Sequence, residues 1–394
     1  MNYYHYILKR KIENIFISPF ITLGILVSKL FPLKQEYDIF FFFPFYHTGG
    51  AEKVHLQICK AVQHQKGIIF FTKKSVDNRF LNEFRDTSFL IKNISIYTDN
   101  KWLYFLNLIC RGVIAGYINS QKKVPIIFNG QCNFGYKISP WIHSSIPQIE
   151  LIHSFNSFSW IRIPFLAFIS KTIMISKLRV EDHKKQYSKI DIPKYFENNI
   201  EWIMNGIEIP DSVEKQISQN LKVLYVGRGT EEKRVDLIAK IAKEIKLQNL
   251  PIDFYFMGDV EQSIPIDLHI FCNFLGNVTN QNIIQTHYQE SHVLLLTSTT
   301  EGFPLVIAEA MMHRCVIAST PVGDISYHLK NSKNILFSEI YNEEVIIKEA
   351  SHFLTHLLKH PEEIISIGNA NRKYANKHFN IANFNVKYQQ LLNA

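Results

Sequence analysis

The sequence predicts an α/β protein with two doubly wound parallel sheets, and three observations support this. Short apolar runs of strand length alternate with longer runs that have helical spacing. The short runs are apolar throughout, which is typical of strands buried on both faces of a parallel sheet. With 394 residues, 46% of them hydrophobic, the chain is long enough for about two domains of ~150 residues each.

The first half contains five predicted strands. The run DIFFFFPF (38–45) is followed by Gly49 and Gly50, and then by AEKVHLQICKAV, in which Val54, Ile58 and Val62 have helical spacing. Four further runs repeat this pattern: GIIFFT, VPIIFN, IELIHS and TIMIS. We therefore place a first domain at residues 37–200.

A second series of strands and helices follows. LKVLYVG (221–227) predicts a strand, and EEKRVDLIAKIAKEIK predicts a helix with one apolar face. Further strands are predicted at DFYFMG, FCNFLG, HVLLLTS and CVIAST. From about Glu343 the pattern is helical only. This indicates a second domain at residues 201–375 and a C-terminal helix at 376–394, which we expect to pack back on the first domain.

Residues 1–36 form an apolar and basic segment before the first domain. Lys9, Arg10 and Lys11 precede an apolar stretch, and the 15 uncharged residues between Glu13 and Lys29 fall short of the ~20 that a membrane-spanning helix requires. Two interpretations remain open. The segment is either a helix lying in the membrane interface with lysines on its polar side, or an apolar helix packed on the first domain.

The charge of the chain is divided unevenly. Residues 1–200 contain 26 basic and 13 acidic side chains, whereas residues 201–394 contain 17 and 22. An anionic membrane surface is the partner that we expect for the basic half. That half lacks a recognised motif of interleaved aromatic and basic residues, so we expect no nucleic acid as a partner, and a nucleic-acid-binding module is a weak alternative. The five cysteines are scattered, which argues against a disulfide framework or zinc cluster and favours the cytoplasm.

Three loops that follow predicted strands are candidate ligand-binding loops. Ligands of doubly wound sheets bind outside the carboxyl ends of strands, and a cleft between two such domains is a common place for a pocket. In the first loop, Gly49 and Gly50 stand before a helix, where the backbone can approach a ligand and free N–H groups favour an anion. The alternative is an ordinary Gly-Gly turn.

The second loop follows LKVLYVG and carries Arg228 and Lys233. Two cations beside a helix start favour the binding of a diphosphate, although a solvated charge run is the alternative interpretation. Gly227-Arg228-Gly229 imitates the start of a dinucleotide-binding fingerprint, but Glu232 occupies the position of the third glycine. We therefore expect no nicotinamide site here.

The third loop has the most specific pattern, HVLLLTSTTEGFPLVIAEAMM at 292–312. Glu301 lies in the loop after a buried strand, and Pro304 is suited to the first turn of the following helix because it lacks the N–H that would be unpaired there. Glu309 lies near the start of that helix and is expected to point toward the same mouth. A surface Glu and an unrelated helical Glu are the alternative.

These motifs, in the order GGAE, VGR with a lysine five residues after the arginine, and EGFPLVIAEAM, resemble the retaining nucleotide-sugar glycosyltransferases of family 4, also called group 1. That family has the GT-B fold, in which two Rossmann-like domains face a central cleft. The resemblance covers roughly residues 38–390 and is stronger in the second half. The chain has no D-x-D motif, and the resemblance implies an enzyme without a metal ion or any cofactor besides its co-substrate, a nucleotide-diphosphate sugar.

In the second domain the resemblance implies that Arg228 and Lys233 hold the pyrophosphate of the donor. Glu309 would bind the ribose hydroxyls, and Glu301 would contact hydroxyls of the transferred sugar. The loop between the two carboxylates would meet the sugar and phosphate, chiefly through backbone N–H groups. Its residues are Gly302, Phe303, Pro304 and Leu305.

In the first domain the resemblance implies that Gly49 and Gly50 close over the diphosphate. His153, at the end of the strand IELIHS, matches the histidine that the family places beside the reacting sugar. His47 and His55 are expected to be structural.

The implied reaction moves a hexose-type sugar, with retention, to a glycan or lipid-linked acceptor in cell-surface polysaccharide or lipopolysaccharide synthesis. The cytosolic face of a membrane is the expected location. Departures from the family pattern concern sugar recognition: Arg314 stands at the place of a glycine, Val316 at that of a proline and Tyr327 at that of a glutamate. These departures leave an inactive sugar-nucleotide-binding protein as an alternative, and a sugar-nucleotide epimerase is another because it can share the same architecture.

Overall fold

The computed structural model describes residues 2–47, 49–210 and 214–393. The chain divides into two compact units, Met1–Gly206 with Ala382–Ala394, and Ile207–Ile381. Each unit contains one all-parallel sheet with helices in its crossover connections, so the predicted α/β class with two doubly wound sheets is confirmed. The units change over a few residues later than the predicted boundaries after 200 and 375.

The sheet of the first unit has seven strands in the order β3-β2-β1-β4-β5-β6-β7. Its centre is β1, an Ile-Phe run that is buried at every position because neighbouring strands and both helical layers cover it. The strands are β1 (Ile39–Phe43), β2 (Gly67–Phe71), β3 (Leu90–Asn93), β4 (Ile126–Asn129), β5 (Gln148–Ile152), β6 (Lys171–Met174) and β7 (Ile200–Trp202).

Eight α-helices of the described residues precede or connect these strands. They are α1 (Tyr3–Leu30), α2 (Gly50–Ala61), α3 (Arg79–Arg85), α4 (Ser95–Thr98), α5 (Tyr104–Asn119), α6 (Asn133–Ile138), α7 (Phe158–Ile161) and α8 (Lys177–Lys189). Short 3₁₀ helices lie at Lys101–Leu103, Ser139–Trp141, Ile163–Phe168 and Lys194–Asn199.

The N-terminal segment forms one helix, α1, that continues through Pro19 for 28 residues. It packs on α5 at very short range, since a Cβ on Gly24 would lie 2.1 Å from the carbonyl oxygen of Ile109. Its first turn is fixed to the same unit, because the backbone N–H of Tyr3 donates to the carbonyl of Ile190 at 2.8 Å. Among the described helices, α1 alone is long and apolar enough to cross a membrane by length and composition. The stretch of 15 uncharged residues that the sequence analysis considered was too short by itself.

A fully buried ion pair joins β5 of the first unit to Arg162, the residue before the 3₁₀ helix Ile163–Phe168. The guanidinium of Arg162 donates to the carboxylate of Glu150, with Nε to Oε2 at 3.0 Å. Three hydroxyl groups complete the network, those of Tyr136, Thr172 and Tyr187. Burial alone would raise the pKa of Glu150, but the Arg162 guanidinium and these hydrogen bonds hold that pKa below its ordinary value. The pair is therefore charged and satisfied within the unit.

The sheet of the second unit has six strands in the order β10-β9-β8-β11-β12-β13. The strands are β8 (Leu221–Val226), β9 (Ile252–Met257), β10 (Asn273–Gly276), β11 (Val293–Leu296), β12 (Val316–Ser319) and β13 (Ile335–Leu336). The helices are α9 (Val235–Leu247), α10 (Gln281–Glu290), α11 (Leu305–Met312), α12 (Ile325–Leu329), α13 (Glu343–Lys359) and α14 (Pro361–Phe379). Short 3₁₀ helices lie at Glu231–Lys233, Glu261–Ser263 and Ile266–Phe271.

The last helix, α15 (Ile381–Leu392), belongs almost entirely to the first unit. It lies beside α2, where Gln389 Nε2 donates to the carbonyl of Ala61 at 2.9 Å and Gln65 Nε2 donates to that of Leu392 at 3.0 Å. The chain thus returns to its first unit after completing the second.

Each sheet has one point at which the strand order reverses. In the first sheet it lies between β1 and β4, and in the second between β8 and β11. Connections from adjacent strands leave in opposite directions there, which opens a crevice at the carboxyl ends of the strands. The predicted loops at Gly49–Gly50, Arg228–Lys233 and Glu301–Leu305 all lie beside these two reversal points.

Candidate functional site

The loop after β8 holds its backbone close to the neighbouring loop and leaves Arg228 exposed. A Cβ on Gly258, whose φ is +132°, would lie 1.9 Å from the carbonyl oxygen of Gly227. The hydroxyl of Tyr225 donates to the carbonyl of Arg228 at 2.8 Å, which fixes the position of that backbone. The Arg228 side chain is exposed to solvent. It is thus an exposed cation on a fixed backbone at the crevice, and its role in binding phosphate stays a prediction.

Lys233 lies where the loops after β8 and β11 are joined. The Thr297 hydroxyl contacts the carbonyls of Lys233 at 3.1 Å and Arg234 at 2.8 Å, and Arg234 Nε donates to the Thr297 carbonyl at 2.7 Å. Arg234 adopts the left-handed conformation with φ 47° and ends the 3₁₀ turn. The backbone N–H of Thr299 donates to the carbonyl of Glu232 at 2.8 Å. These contacts fix the two loops across the reversal point.

Lys233 and Glu301 form a hydrogen-bonded ion pair. The distance from Lys233 Nζ to Glu301 Oε1 is 2.5 Å, and the side chains are only 19% and 10% exposed. Ser298 Oγ donates to the same carboxylate oxygen at 2.8 Å. The structure therefore brings together the lysine predicted for the diphosphate and the carboxylate predicted for the sugar. Because the pair is partly shielded from water, its charges interact more strongly than an exposed pair would.

The turn that follows Glu301 depends on a glycine from the next loop. Gly323 has φ +61°, and a Cβ there would lie 2.3 Å from the carbonyl oxygen of Glu301. The N–H of Asp324 donates to the carbonyl of Gly302 at 2.8 Å. This approach sets the direction in which the chain enters α11.

The start of α11 differs slightly from the prediction. Pro304 has extended backbone and caps the helix, which begins at Leu305, so the proline is not in the first turn. The Phe303 ring packs inside the second unit, 4.9 Å from the ring of Phe379 and 4.5 Å from that of His328. Because the ring is engaged in these contacts, the backbone of Phe303 is the part left for a ligand, and the backbone role that the resemblance implies stays a prediction.

Glu309 is held in the second turn of α11. Its Oε2 accepts a hydrogen bond from the hydroxyl of Tyr288 at 2.9 Å. Burial and the Glu309 carboxylate raise the pKa of Tyr288 well above its ordinary value, so the phenol remains a proton donor. The ring of His313 stacks on that of Tyr288 at 5.3 Å, and His313 Nδ1 lies 2.8 Å from the Glu309 carbonyl. The carboxylate is consequently positioned before any ligand binds.

A cavity of about 490 Å³ opens at the same edge of the second sheet. It does not include Arg228, Lys233, Glu301 or Glu309 among its lining residues. Four carboxylates line it, from Glu231, Glu232, Asp236 and Glu343, against one guanidinium, that of Arg234. Its charge makes it unsuited to a diphosphate.

At the reversal point of the first sheet, Gly49 and Gly50 begin α2 as predicted. A Cβ on Gly49 would lie 2.1 Å from Glu52 Oε2, whereas one on Gly50 would meet nothing within 4 Å. The carboxylate of Glu52 therefore lies at this helix start, with His47 Nε2 at 3.9 Å from its Oε1. A phosphate that binds these N–H groups has to displace the carboxylate that is already there.

His153 is paired with a second histidine. Its Nε2 lies 3.0 Å from Nε2 of His55, and its backbone N–H donates to Gln131 Oε1 at 3.0 Å. Gly130 permits this arrangement, since a Cβ there would lie 2.4 Å from His55 Nε2. Burial lowers the pKa of His153 to about 4, and burial together with His153 lowers that of His55 well below its ordinary value. Both rings are neutral near pH 7.

One of these neutral rings donates a hydrogen bond to the other, and the surroundings favour His55 as the donor. His55 Nδ1 is buried and has no hydrogen-bond partner among the described residues. If His55 donates from Nε2, this Nδ1 is only an unpaired acceptor, whereas the reverse arrangement would leave an unpaired N–H, which is rarer in proteins. His153 then carries its own proton on Nδ1 and can donate it to a hydroxyl oxygen.

Several residues of these sites were not predicted from the sequence. His55 was expected to be structural, yet it contacts His153 directly, and its ring also stacks on Phe43 at 4.2 Å. The run Thr297-Ser298-Thr299 supplies hydroxyls to the second loop and to Glu301. A cluster of hydroxyl residues directly after a buried strand was the available signal for that run, whereas nothing local marks His55.

Comparison with known proteins agrees with this architecture. The family described as Glycosyl transferases group 1 matches residues 220–356, which include the loops of Arg228, Lys233, Glu301 and Glu309. A comparison with curated protein sequences gives no match. Residues 220–356 are thus similar to a group 1 glycosyltransferase domain.

Solved structures share the fold over almost the whole chain. A glycosyltransferase from Rickettsia africae ESF-5 is 18% identical, with 91% of this chain and 99% of that chain covered and a TM-score of 0.69. HepE from Anabaena, in complex with UDP-glucose, is 15% identical, with 91% and 99% covered and a TM-score of 0.67. WaaB, a lipopolysaccharide outer core galactosyltransferase, is 15% identical, with 90% and 98% covered and a TM-score of 0.63. The predicted GT-B fold is confirmed.

Proposed function

We propose that the protein transfers a hexose-type sugar from a nucleotide-diphosphate sugar to a glycan or lipid-linked acceptor, with retention of the anomeric configuration. The observation that carries the donor class is the Lys233–Glu301 pair beside Arg228, at the reversal point of the second sheet. Cations are required for a diphosphate and a carboxylate suits sugar hydroxyls. HepE, which shares the fold, binds UDP-glucose, and this supports the same donor class here.

The charges of the second unit suit the chemistry of the leaving group. Breaking the bond between the sugar and the diphosphate places positive charge on the anomeric carbon and negative charge on the phosphate. We assign Arg228 and Lys233 to the diphosphate, where each well-placed donor lowers the barrier by about 3 kcal/mol. The N–H groups at the start of α11, at Phe303 and Leu305, add the positive end of a helix. No metal ion is invoked in this proposal.

The carboxylates have separate roles in the proposal. Glu309, which Tyr288 holds in place, binds the ribose hydroxyls of the nucleotide. Glu301 binds hydroxyls of the sugar, and its pairing with Lys233 keeps it oriented for that contact. When the diphosphate binds, Lys233 has two anionic partners, the diphosphate and Glu301. Glu301 can then turn one lone pair toward the sugar while it keeps its contact with Lys233.

In the first unit we assign His153 to the reacting sugar. Its neutral ring carries a proton on Nδ1 in the arrangement argued above, which suits a hydrogen bond to a hydroxyl and not to a phosphate. Gly49 and Gly50 remain candidates for a diphosphate contact. In the retaining reaction that the family resemblance implies, the acceptor attacks from the face that the diphosphate leaves, and the phosphate serves as the base.

The pathway and location are also part of the proposal. WaaB, which shares the fold, is a lipopolysaccharide outer core galactosyltransferase, and this supports a role in cell-surface polysaccharide or lipopolysaccharide synthesis. Scattered cysteines, all of them free thiols, suit the cytoplasm. We place the enzyme there, at the cytosolic face of the membrane where lipid-linked acceptors are available.

A donor panel tests the proposal. The purified protein is incubated with UDP-, GDP- and ADP-sugars, and binding and slow hydrolysis are measured by calorimetry and by NMR of the anomeric proton. We expect one nucleotide class to bind and to release its sugar with the original anomeric configuration. Release with inversion would contradict the retaining mechanism, and interconversion of donors without release would identify an epimerase. Failure of a folded sample to bind any donor would overturn the proposal.

A matched pair of variants tests the donor site. Arg228→Ala removes an exposed cation from the loop after β8, whereas Arg85→Ala removes an exposed cation from α3 of the first unit. We expect a loss of donor affinity in the first variant only, with the melting temperatures of both unchanged. Equal donor affinity in the two variants would show that the phosphate assignment of Arg228 is wrong.

A further inference from the structure

Helix α1 has two apolar sides, and the first unit covers only one of them. The covered side includes Ile21, Gly24 and Ser28, which lie against α5. The opposite side has large apolar residues at intervals of three or four positions, apart from an interval of seven between Phe16 and Leu23, and each is 48–75% exposed. These residues are Leu8, Ile12, Phe16, Leu23, Leu26 and Leu30. We call this side, which also contains Ile15 at 70% exposure, the outer face of α1.

The exposed apolar surface continues beyond α1. The ring of Phe20 lies 5.2 Å from that of Phe105 in the first turn of α5, which joins the two elements. Phe105 is itself 62% exposed, and Trp102, in the turn just before α5, is 95% exposed. Single exposed apolar residues are ordinary in soluble proteins, but a contiguous patch of this extent marks an interaction surface.

Lysines border the outer face, and the helix has a single carboxylate. Lys9, Lys11 and Lys29 are exposed on α1. The helix contains one acidic residue, Glu13, which is paired with Arg10 at 2.7 Å. The surface is therefore apolar with a positive border, and its partner must be apolar with negative groups at its edge.

The charges and contacts of α1 exclude two other occupants. If a second copy of the chain packed on the outer face, lysines would meet lysines in either orientation of the two helices, with no carboxylate between them. If α1 crossed a membrane, it would have to leave the first unit, to which it is attached from Tyr3 in its first turn to Ser28 in its last. The helix has to bind its partner while it stays on the unit.

We propose that the outer face of α1, together with residues 102–106 at the start of α5, binds the surface of an anionic phospholipid bilayer. The helix lies in the plane of the interface, with its leucines, isoleucines and Phe16 entering the boundary between headgroups and acyl chains. The lysines meet lipid phosphates, and Trp102 lies at the depth of the headgroups, where an aromatic ring with a polar atom is favoured. This inference is independent of the sugar transfer proposed above.

Flotation with vesicles tests the apolar contribution. The full-length protein is mixed with vesicles of phosphatidylcholine containing phosphatidylglycerol, and the bound fraction is measured after centrifugation. Ile15→Glu places a charge on the outer face, whereas Ile270→Glu makes the same change at an 81% exposed site of the second unit. We expect Ile15→Glu to lower the partition coefficient about tenfold or more, and Ile270→Glu to leave it unchanged.

The charge contribution has its own pair of variants. Lys11→Gln and Lys29→Gln remove lysines at the border of the outer face, and Lys243→Gln, on α9, is the control. Each of the first two should weaken binding to the mixed vesicles about fivefold, which corresponds to about 1 kcal/mol. None should change the weaker binding to phosphatidylcholine alone, because that lipid carries no net charge.

The results that would overturn the membrane proposal differ from those that would overturn the proposed sugar transfer. Circular dichroism and the melting temperature first establish that each variant is folded. Equal flotation of Ile15→Glu, Ile270→Glu and the unmodified protein would show that the outer face does not bind lipid. A dimer in sedimentation that Ile15→Glu converts to a monomer, with unchanged flotation, would identify the face as a contact between copies instead. Donor hydrolysis in the absence of lipid should be the same in all these variants.

Discussion

The carboxyl edges of the two sheets have the same topology but opposite electrostatic character. At the edge of the first sheet, His55 and His153 are hydrogen-bonded to each other, and burial lowers the pKa of both, so that they are neutral near pH 7. At the edge of the second, Lys233 and Glu301 are charged partners and Arg228 is exposed. The same fold therefore provides a neutral histidine pair suited to hydroxyl groups at one edge and charged groups suited to an anion at the other.

Where the first unit does contain opposite charges below its edge, they are satisfied internally. Glu150 lies in β5, the strand that leads to His153, and it is fully buried with Arg162. This pair is part of the core, whereas the Lys233–Glu301 pair lies at a crevice and retains some exposure. A structural ion pair therefore differs from a candidate functional one in its burial and in how completely its hydrogen bonds are satisfied, and not in the presence of charges. Four predictions test this distinction.

The largest expected effect is on the stability of the first unit. Arg162→Met leaves the carboxylate of Glu150 buried without its cation, and we expect the free energy of unfolding to fall by about 3–5 kcal/mol. Urea denaturation checks this. The double variant Arg162→Met/Glu150→Leu removes both charges and should recover much of the loss. A single variant as stable as the unmodified protein would show that the pair is not structural.

The next effect is on catalysis by the second unit. Lys233→Ala should raise the barrier by about 3 kcal/mol, which lowers kcat/KM for the donor by about a hundredfold. The variant also removes the cation from Glu301, which keeps only the hydrogen bond from the Ser298 hydroxyl. We therefore expect the free energy of unfolding to fall by about 1–3 kcal/mol. Lys243→Ala, on the exposed side of α9, is the control. An unchanged kcat/KM in Lys233→Ala would show that the Lys233–Glu301 pair, like the Glu150–Arg162 pair, is only structural.

A third prediction concerns the pH dependence of stability at the neutral edge. The pKa of His153 is lowered from its ordinary value of 6.5 to about 4, so in this range the unfolded chain binds a proton that the folded chain does not. Stability should therefore fall as the pH decreases from about 6.5 to about 4. Between pH 7 and pH 5 this group accounts for about 2 kcal/mol.

The variant His153→Gln tests this by removing the titrating group, so the decrease in stability between pH 7 and pH 5 should be smaller than in the unmodified protein. His64→Gln, an exposed site of the first unit, is the matched control and should preserve the decrease. Urea midpoints at the two pH values give the comparison. An equal decrease in His153→Gln and the unmodified protein would mean that His153 is not the buried neutral group described above.

The smallest effect concerns a hydroxyl that positions a carboxylate. Tyr288→Phe removes the hydrogen bond to Glu309 and should weaken nucleotide binding about fivefold, corresponding to about 1 kcal/mol, with the ring stacking on His313 retained. Tyr388→Phe removes a buried hydroxyl that has no partner among the described residues. Calorimetric titration with the nucleotide should therefore distinguish the two. Equal nucleotide affinities of the two variants would show that Tyr288 does not position Glu309.

Much of the second site was predictable because its residues are local to sequence motifs. Arg228, Lys233, Glu301 and Glu309 all lie in loops or helix starts that directly follow apolar strand runs. A parallel sheet places the carboxyl ends of its strands on one edge, so a residue that follows a strand is placed near the others by topology alone. The exact partners were not predictable, since the Lys233–Glu301 contact depends on how two loops pack.

The first site was less predictable because its partners are distant in sequence and neutral. His55 lies in α2 and looks like an ordinary residue of a buried helix face, and only the packing of α2 against β1 and β4 brings it to His153. Likewise, the approach of Glu52 to Gly49 could not be predicted from a Gly-Gly turn. No charge pattern or spacing marks such contacts.

The sequence by itself determined the class of the fold and the loops that carry the cations and carboxylates, whereas the strand order and its two reversal points were seen only in the structure. Apolar runs and the loops that follow them are local features of the sequence, and in a parallel sheet they fix where the strands and the loops lie. The tertiary structure decided which charges are buried and which are available, and which side of α1 is covered. Those properties depend on residues far apart in the chain, whose contacts form only when the units pack.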